Sequence, residues 1–135
     1  MNAQTISDVL TSCWTLAVGP GKKLPSGQDT LDRALKVAIE RGNFPDEFKK
    51  LRFVKTRTGI RCPDLSSALS WAQASDQTAD PNPAYDTTMV KPSEFVGAVI
   101  LEELGIPIEA ARRWGLALFE AVKEQQSELK QSTDA

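Results

Sequence analysis

Residues 52–62 read Arg-Phe-Val-Lys-Thr-Arg-Thr-Gly-Ile-Arg-Cys, and this stretch decides the fold class. β-Branched and aromatic residues on both sides of Gly59 predict two short strands that turn at the glycine. Pro63 ends the second strand, because proline cannot donate to a strand ladder. Apolar residues elsewhere recur at helical spacing. The sequence therefore predicts a mainly α (α+β) fold: a small helical domain with one basic β-hairpin, followed by a C-terminal αα-hairpin.

The register of the hairpin is predicted from how it distributes polar and apolar side chains between its two faces. A three-residue loop at 57–59 pairs Val54 with Cys62 and Thr56 with Ile60. All four then share one face, which suits a half-buried hairpin. The alternative, a two-residue turn at 58–59, mixes polar and apolar side chains on each face. We therefore expect the three-residue loop.

The helices before and after the hairpin have recognisable ends. Gly19 and Pro20 end the first helix, and a short third helix is expected near residues 45–51. The 19–27 loop contains Gly-Pro-Gly-Lys-Lys but lacks phosphate-loop spacing, so we interpret it as a solvated turn. The expected N-caps of four helices are Thr5, Asp29, Asp64 and Ser93.

Composition divides the chain into three parts. Residues 1–75 form the helical domain with the hairpin at 52–62, and residues 93–135 form the C-terminal helical hairpin. Residues 76–92, which contain three prolines and three aspartates, are expected to be a linker or a strap. The C-terminal part either packs on the first part or dimerises.

The C-terminal part has two predicted helices. The first, around 95–104, is apolar nearly all round and should be buried on several sides, with a buried strand as the rival interpretation. In the second, apolar residues recur at alternating steps of three and four, as in a coiled coil. This apolar face, which we call the seam, either pairs with a second copy or closes the chain's own core. The residues assigned to a protein interface there are Ile108, Ala111, Trp114, Gly115, Leu118 and Val122.

A run of cations surrounds the hairpin, with no acid between Glu47 and Asp64. The element order up to this point resembles a winged helix, in which such a hairpin contacts the DNA backbone. However, residues 1–62 have a net charge of +5 and the rest −7, so the hairpin could instead pack on the acidic half. The candidate nucleic-acid-binding residues are Lys49, Lys50, Arg52, Lys55, Arg57 and Arg61.

The chain has no histidine, which excludes Ser–His triads and His-ligated metals. Cys13 and Cys62 lack metal-type spacing, and no phosphate-loop motif is present, so we expect no cofactor and no metal. With no basic leader and no long apolar run, a cytoplasmic protein without membrane contact is expected. The sequence favours a non-enzymatic regulatory or adaptor protein with a protein partner. Sequence-specific DNA binding is the alternative, and a carboxylate enzyme is third.

Overall fold

The computed structural model describes residues 2–19, 21–25, 29–41, 44–57, 59–79 and 87–134, with the backbone alone at Ala79, at Thr87 and from residue 128. Its elements confirm a mainly helical chain with a two-stranded hairpin. In order they are α1 (Ala3–Val18), β1 (Lys23–Pro25), α2 (Thr30–Glu40), a 3-10 helix (Asp46–Lys50), β2 (Val54–Thr56), β3 (Gly59–Arg61), α3 (Pro63–Ala74), β4 (Thr78–Ala79), β5 (Thr87–Val90), α4 (Glu94–Glu103) and α5 (Ile108–Asp134).

Helix α1 is the central element, because α3, α4 and α5 all pack against it. Its N-cap is Asn2, whose side-chain oxygen accepts a hydrogen bond from the Thr5 N–H at 2.8 Å. The predicted cap, Thr5, is thus wrong, since Thr5 donates its N–H from inside the first turn. Trp14 and Cys13 lie in the interior. The helix is buried on several sides, which explains why it also carries buried Ser and Thr residues.

The buried side chains of the N-terminal and C-terminal parts form one continuous core. Both parts contribute large side chains that are at most 1% exposed: Trp14, Leu35, Phe48, Leu65, Val90, Leu101 and Leu118. The C-terminal part therefore packs on the first part, and α4 and α5 contact α1 more extensively than they contact each other.

A three-stranded antiparallel sheet with the order β1-β5-β4 joins two regions that the sequence predicted as loops. Leu24 pairs with Thr88, and Ala79 pairs with Met89. The loop predictions for 19–27 and 76–92 are therefore wrong where these strands lie, and residues 80–86 fall outside the described residues. Strands of two to four residues are too short to show alternation in the sequence.

The hairpin pairs in a register that differs from both considered alternatives. Val54 pairs with Arg61 and Lys55 with Ile60, which shifts the second strand by one residue from the preferred prediction. Val54 is consequently 47% exposed rather than buried. The N–H groups of Ile60 and Cys62 donate to carboxylates of α2, so they point away from β2 and fix the register.

Two further predicted caps act differently from expectation, and one is confirmed. Asp64 accepts a hydrogen bond from the Arg52 N–H at 3.2 Å instead of capping α3, which begins with a proline. Asp29 occupies the N-cap position of α2 but makes no side-chain capping hydrogen bond. Ser93 caps α4 as predicted, accepting from the Val96 N–H at 3.2 Å.

Candidate interaction surfaces

Two carboxylates at the start of α2 hold the hairpin in place. Oδ2 of Asp29 accepts from the Ile60 N–H at 3.2 Å, and Oδ2 of Asp32 accepts from the Cys62 N–H at 2.8 Å. Burial would raise the pKa of Asp29, but hydrogen bonds from Arg33 and Ile60 leave it below its usual value. Burial raises the pKa of Asp32, and the Cys62 N–H offsets this only in part. The two carboxylates thus accept hydrogen bonds from Ile60 in β3 and from Cys62, the residue that follows it.

Close packing at the turn makes glycine necessary at position 59. Gly59 has φ +128°, and a Cβ there would lie 1.8 Å from Oδ2 of Asp29. A side chain would therefore meet both backbone strain and a steric clash. The hairpin therefore packs closely against the start of α2 at Gly59.

The six cations predicted to bind nucleic acid fall into two groups. Nζ of Lys49 lies 3.1 Å from Oδ1 of Asp46, and Nη1 of Arg61 lies 4.0 Å from Oδ1 of Asp32. The other four are exposed, and their charged groups have no ion-pair partner within the described part of the chain. We call these four the basic hairpin surface: Lys50, Arg52, Lys55 and Arg57.

The four cations of the basic hairpin surface stay exposed, and among the described residues the acidic half contacts this segment through the Asp64 carboxylate at the backbone N–H of Arg52. Of the ion pairs among the described residues, one joins the two halves, between Arg41 and Glu124 at 2.9 Å. The others lie within one half. The cations of the basic hairpin surface are therefore not neutralised by ion pairs with the acidic half among the described residues.

The predicted interface seam on α5 lies mostly inside the chain's own core. Ala111, Leu118 and Val122 are at most 3% exposed. A Cβ on Gly115 would lie 2.2 Å from the backbone oxygen of Cys13, so α5 meets α1 directly at that point. These four positions are therefore occupied by the fold itself.

The two remaining seam residues differ from the others. Trp114 is partly buried, and its ring stacks on that of Phe44 with centroids 6.2 Å apart. Ile108, at the start of α5, is 40% exposed. Of the six predicted interface residues, Ile108 has the largest exposed fraction.

Helix α4 carries an exposed apolar face that sequence reasoning missed, because an all-round apolar helix was expected to be buried. Phe95 is 77% exposed, Val96 44% and Val99 38%. Only its opposite side, with Gly97 and Leu101, is buried. The prediction that this helix is buried on several sides is therefore wrong.

The same face becomes acidic one turn later. Residues 95, 99, 102 and 103 lie within one sector of a helix, so Glu102 and Glu103 follow Phe95 and Val99 along it. Both glutamates are exposed, and no basic residue lies in the last turn of α4. We call this face the α4 surface: Phe95, Val96, Val99, Glu102 and Glu103.

The described residues contain no cluster of three or more His, Cys, Asp or Glu side chains that could hold a metal ion. Cys13 and Cys62 are buried free thiols, and burial raises the pKa of Cys13 to about 12. No helix in the described ranges is long and apolar enough to cross a bilayer. Comparisons of the chain with protein-family models, curated proteins and solved structures found no match.

Proposed function

We propose that this chain is a non-enzymatic cytoplasmic adaptor or regulatory protein, and that the α4 surface binds a partner protein. The observation that carries the proposal is the 77% exposure of Phe95 beside two other exposed apolar side chains, Val96 and Val99. Large aromatic side chains that lie open to solvent in a cluster are typical of binding sites.

The acidic end of the surface indicates the charge of the partner. Glu102 and Glu103 lie at the C-terminus of α4, where the helix dipole is negative and anions are unfavourable. Two carboxylates and the dipole end together favour a cation. Between residues 92 and 111 the chain has four acidic residues and no Lys or Arg. We therefore expect the partner to supply positive charge.

The occupant that fits is a partner segment with an apolar cluster followed by Lys or Arg. An amphipathic helix that lies along α4 has this chemistry, since its apolar side chains meet Phe95 and its cations meet Glu102 and Glu103. The homodimer predicted through the seam of α5 receives less support, because α1 already occupies most of that seam.

Peptide selection tests the proposal directly. A phage-displayed library of random peptides is selected against the whole chain, and enriched peptides are measured against the Phe95→Ser variant. We expect enriched peptides to combine apolar residues with Lys or Arg and to bind Phe95→Ser at least about tenfold more weakly. The absence of enrichment, or an enrichment of acidic peptides, would rule the proposal out.

A stability measurement controls for unfolding of the variant. Because Phe95 is largely exposed, Phe95→Ser should change the free energy of unfolding by no more than about 0.5 kcal/mol. Phe48 is fully buried, and Phe48→Ala should cost about 3–5 kcal/mol. Light scattering of the free chain then shows whether a second copy occupies the α4 surface, which would contradict a cationic partner.

Sequence-specific DNA binding is the second candidate, favoured by the four unpaired cations of the basic hairpin surface. The element before the hairpin is a five-residue 3-10 helix, whose Phe48 faces the core. A single short turn offers few side chains to read base edges in a groove. The exposed cations therefore suit contacts to phosphates better than sequence recognition.

A further inference from the structure

We propose that the basic hairpin surface and the groove beside it bind single-stranded nucleic acid without sequence preference. The residues involved lie on α2, on the 3-10 helix and on the segment 51–57, which contains β2, and none belongs to the α4 surface. The inference thus goes beyond the proposed protein-binding function and can fail or succeed independently of it.

The size and the apolar lining of the groove suit a nucleobase. It is open, has a volume of about 310 Å³, and runs between α2 and the extended chain that leads into β2. Its apolar lining consists of Ile39, Leu51 and Phe53. Bases of a single strand stack on aromatic side chains whatever their sequence, and Phe53 is the aromatic residue here.

Charges at the edge of the groove are already compensated. Lys36 is paired with Glu40, and Lys49 with Asp46, so these lysines have acidic partners within the chain. The groove is consequently close to neutral. A neutral, apolar recess suits the face of a base, whereas phosphates need cations without partners.

Unpartnered cations lie on both sides of the groove along the chain. Leu51 and Phe53 both line the groove, whereas Arg52 between them is exposed, so the side chains alternate here. Continued into β2, this alternation puts Lys55 on the side of Phe53. Lys55 then follows Phe53 at a distance of about 7 Å along the strand. Arg57 follows in the turn after β2, and Lys50 precedes Leu51 in the chain; both are exposed. A strand with one base over Phe53 can thus place phosphates near cations at both ends.

A duplex fits this arrangement less well than a single strand. Its base faces are stacked inside, so Phe53 could not contact them. The ribbon of β2 and β3 has only three residues in each strand, which is short for insertion into a major groove about 12 Å wide.

Fluorescence anisotropy with a labelled oligothymidylate of about 12 nucleotides tests the phosphate contacts. The affinity of the whole chain is measured between about 50 mM and about 200 mM salt. Lys55→Gln/Arg57→Gln should bind more weakly, and the slope of log affinity against log salt should become shallower by about 1.4, since each contact contributes about 0.7. The matched control, Arg112→Gln/Arg113→Gln, removes two exposed cations of α5 and should bind like the unmodified chain.

Two substitutions at Phe53 test the stacking contact. Phe53→Leu keeps an apolar side chain in the groove but removes the ring, and should weaken binding about fivefold or more. Phe53→Tyr keeps the ring and should bind close to the unmodified chain. Equal affinities for the Leu and Tyr variants would overturn the stacking contact.

Three results would overturn the inference as a whole. They are no measurable binding to oligothymidylate at about 50 mM salt, unchanged affinity in Lys55→Gln/Arg57→Gln, and a duplex of equal length that competes as well as the single strand. Phe95→Ser should leave oligonucleotide binding unchanged. Loss of peptide binding and loss of oligonucleotide binding can therefore be told apart.

Discussion

Gly115 of α5 lies directly against the backbone carbonyl of Cys13 in α1, so closely that a Cβ at position 115 would be 2.2 Å from that oxygen. The same Cβ would be 2.6 Å from the Cβ of Ala17. This contact lets the two longest described helices approach without intervening side chains. Most of the seam of α5 is therefore buried against α1 inside the chain's own core.

Gly115→Ala should destabilise the protein, because backbone atoms of α1 must move to admit the methyl group. Overpacking of this kind costs about 1–3 kcal/mol. The free energy of unfolding from urea denaturation measures the effect. If the variant were as stable as the unmodified chain, α5 could not pack against α1 as described.

Gly97→Ala is the matched control for this substitution. Gly97 also lies in a helix packed on α1, but a Cβ there would be 3.6 Å from the nearest atoms of Ser12, which is ordinary contact. Alanine is favoured over glycine inside helices by about 0.5–1 kcal/mol. The two Gly→Ala variants should therefore shift stability in opposite directions.

The carboxylate of Asp32 should be needed as an acceptor for the hairpin. Asp32→Ala leaves the buried Cys62 N–H without a partner, which costs about 1–3 kcal/mol. Asp32→Asn keeps an acceptor oxygen and should lose less. Thermal or urea unfolding of both variants near neutral pH checks this order, and an alanine variant as stable as the asparagine variant would contradict it.

The stability difference between the unmodified chain and Asp32→Asn should depend on pH with a defined sign. Burial raises the pKa of Asp32 above its ordinary value of 3.8, so the folded state holds the proton more tightly than the unfolded state. As pH rises from 3.8 to the folded pKa, the unmodified chain loses stability relative to Asp32→Asn, and beyond that pKa the difference is constant. A difference that does not change with pH would contradict the raised pKa.

The sequence predicted those elements whose signals are local. Helical periodicity located the four longest helices and the end of α1 at Gly19, and the serine at position 93 was correctly identified as a cap. β5 was missed because its register depends on β1, whose residues lie more than 60 positions earlier. A short strand held by such a distant partner leaves no periodic pattern of its own.

The candidate surfaces likewise divide into features that are local in the sequence and features that depend on tertiary packing. The exposed cations around Lys55 could be found because an uninterrupted run of charge is a local feature. The exposure of Phe95 could not, because periodicity does not reveal which sides of an apolar helix find partners. Likewise, the seam of α5 was correctly recognised as apolar, but its partner, α1, is set by tertiary packing.

The thiol of Cys13 should make the chain less stable at alkaline pH. Burial raises its pKa from 9.0 to about 12, so above pH 9 the unfolded thiol ionises while the folded one does not. Between pH 9 and about pH 12, ionisation of this thiol in the unfolded state lowers the free energy of unfolding by about 1.4 kcal/mol per pH unit. Cys13→Ala lacks this loss, although its cavity makes it less stable near pH 8. The difference in the free energy of unfolding between the unmodified chain and Cys13→Ala should therefore narrow by about 2 kcal/mol by about pH 10.5. A difference that stays constant with pH would refute the shifted pKa of Cys13.

Charge reversal on α4 should separate stability from binding. Glu102→Lys/Glu103→Lys replaces anions with cations at the negative end of the helix dipole, and should raise the free energy of unfolding by about 0.3–1 kcal/mol per residue. Glu94→Lys, in the first turn, should lower it by a similar amount. If the α4 surface binds a cationic partner, the more stable double variant loses the selected peptides, whereas the less stable Glu94→Lys retains them. The reverse pattern would show that the glutamates at the end of α4 do not contact the partner.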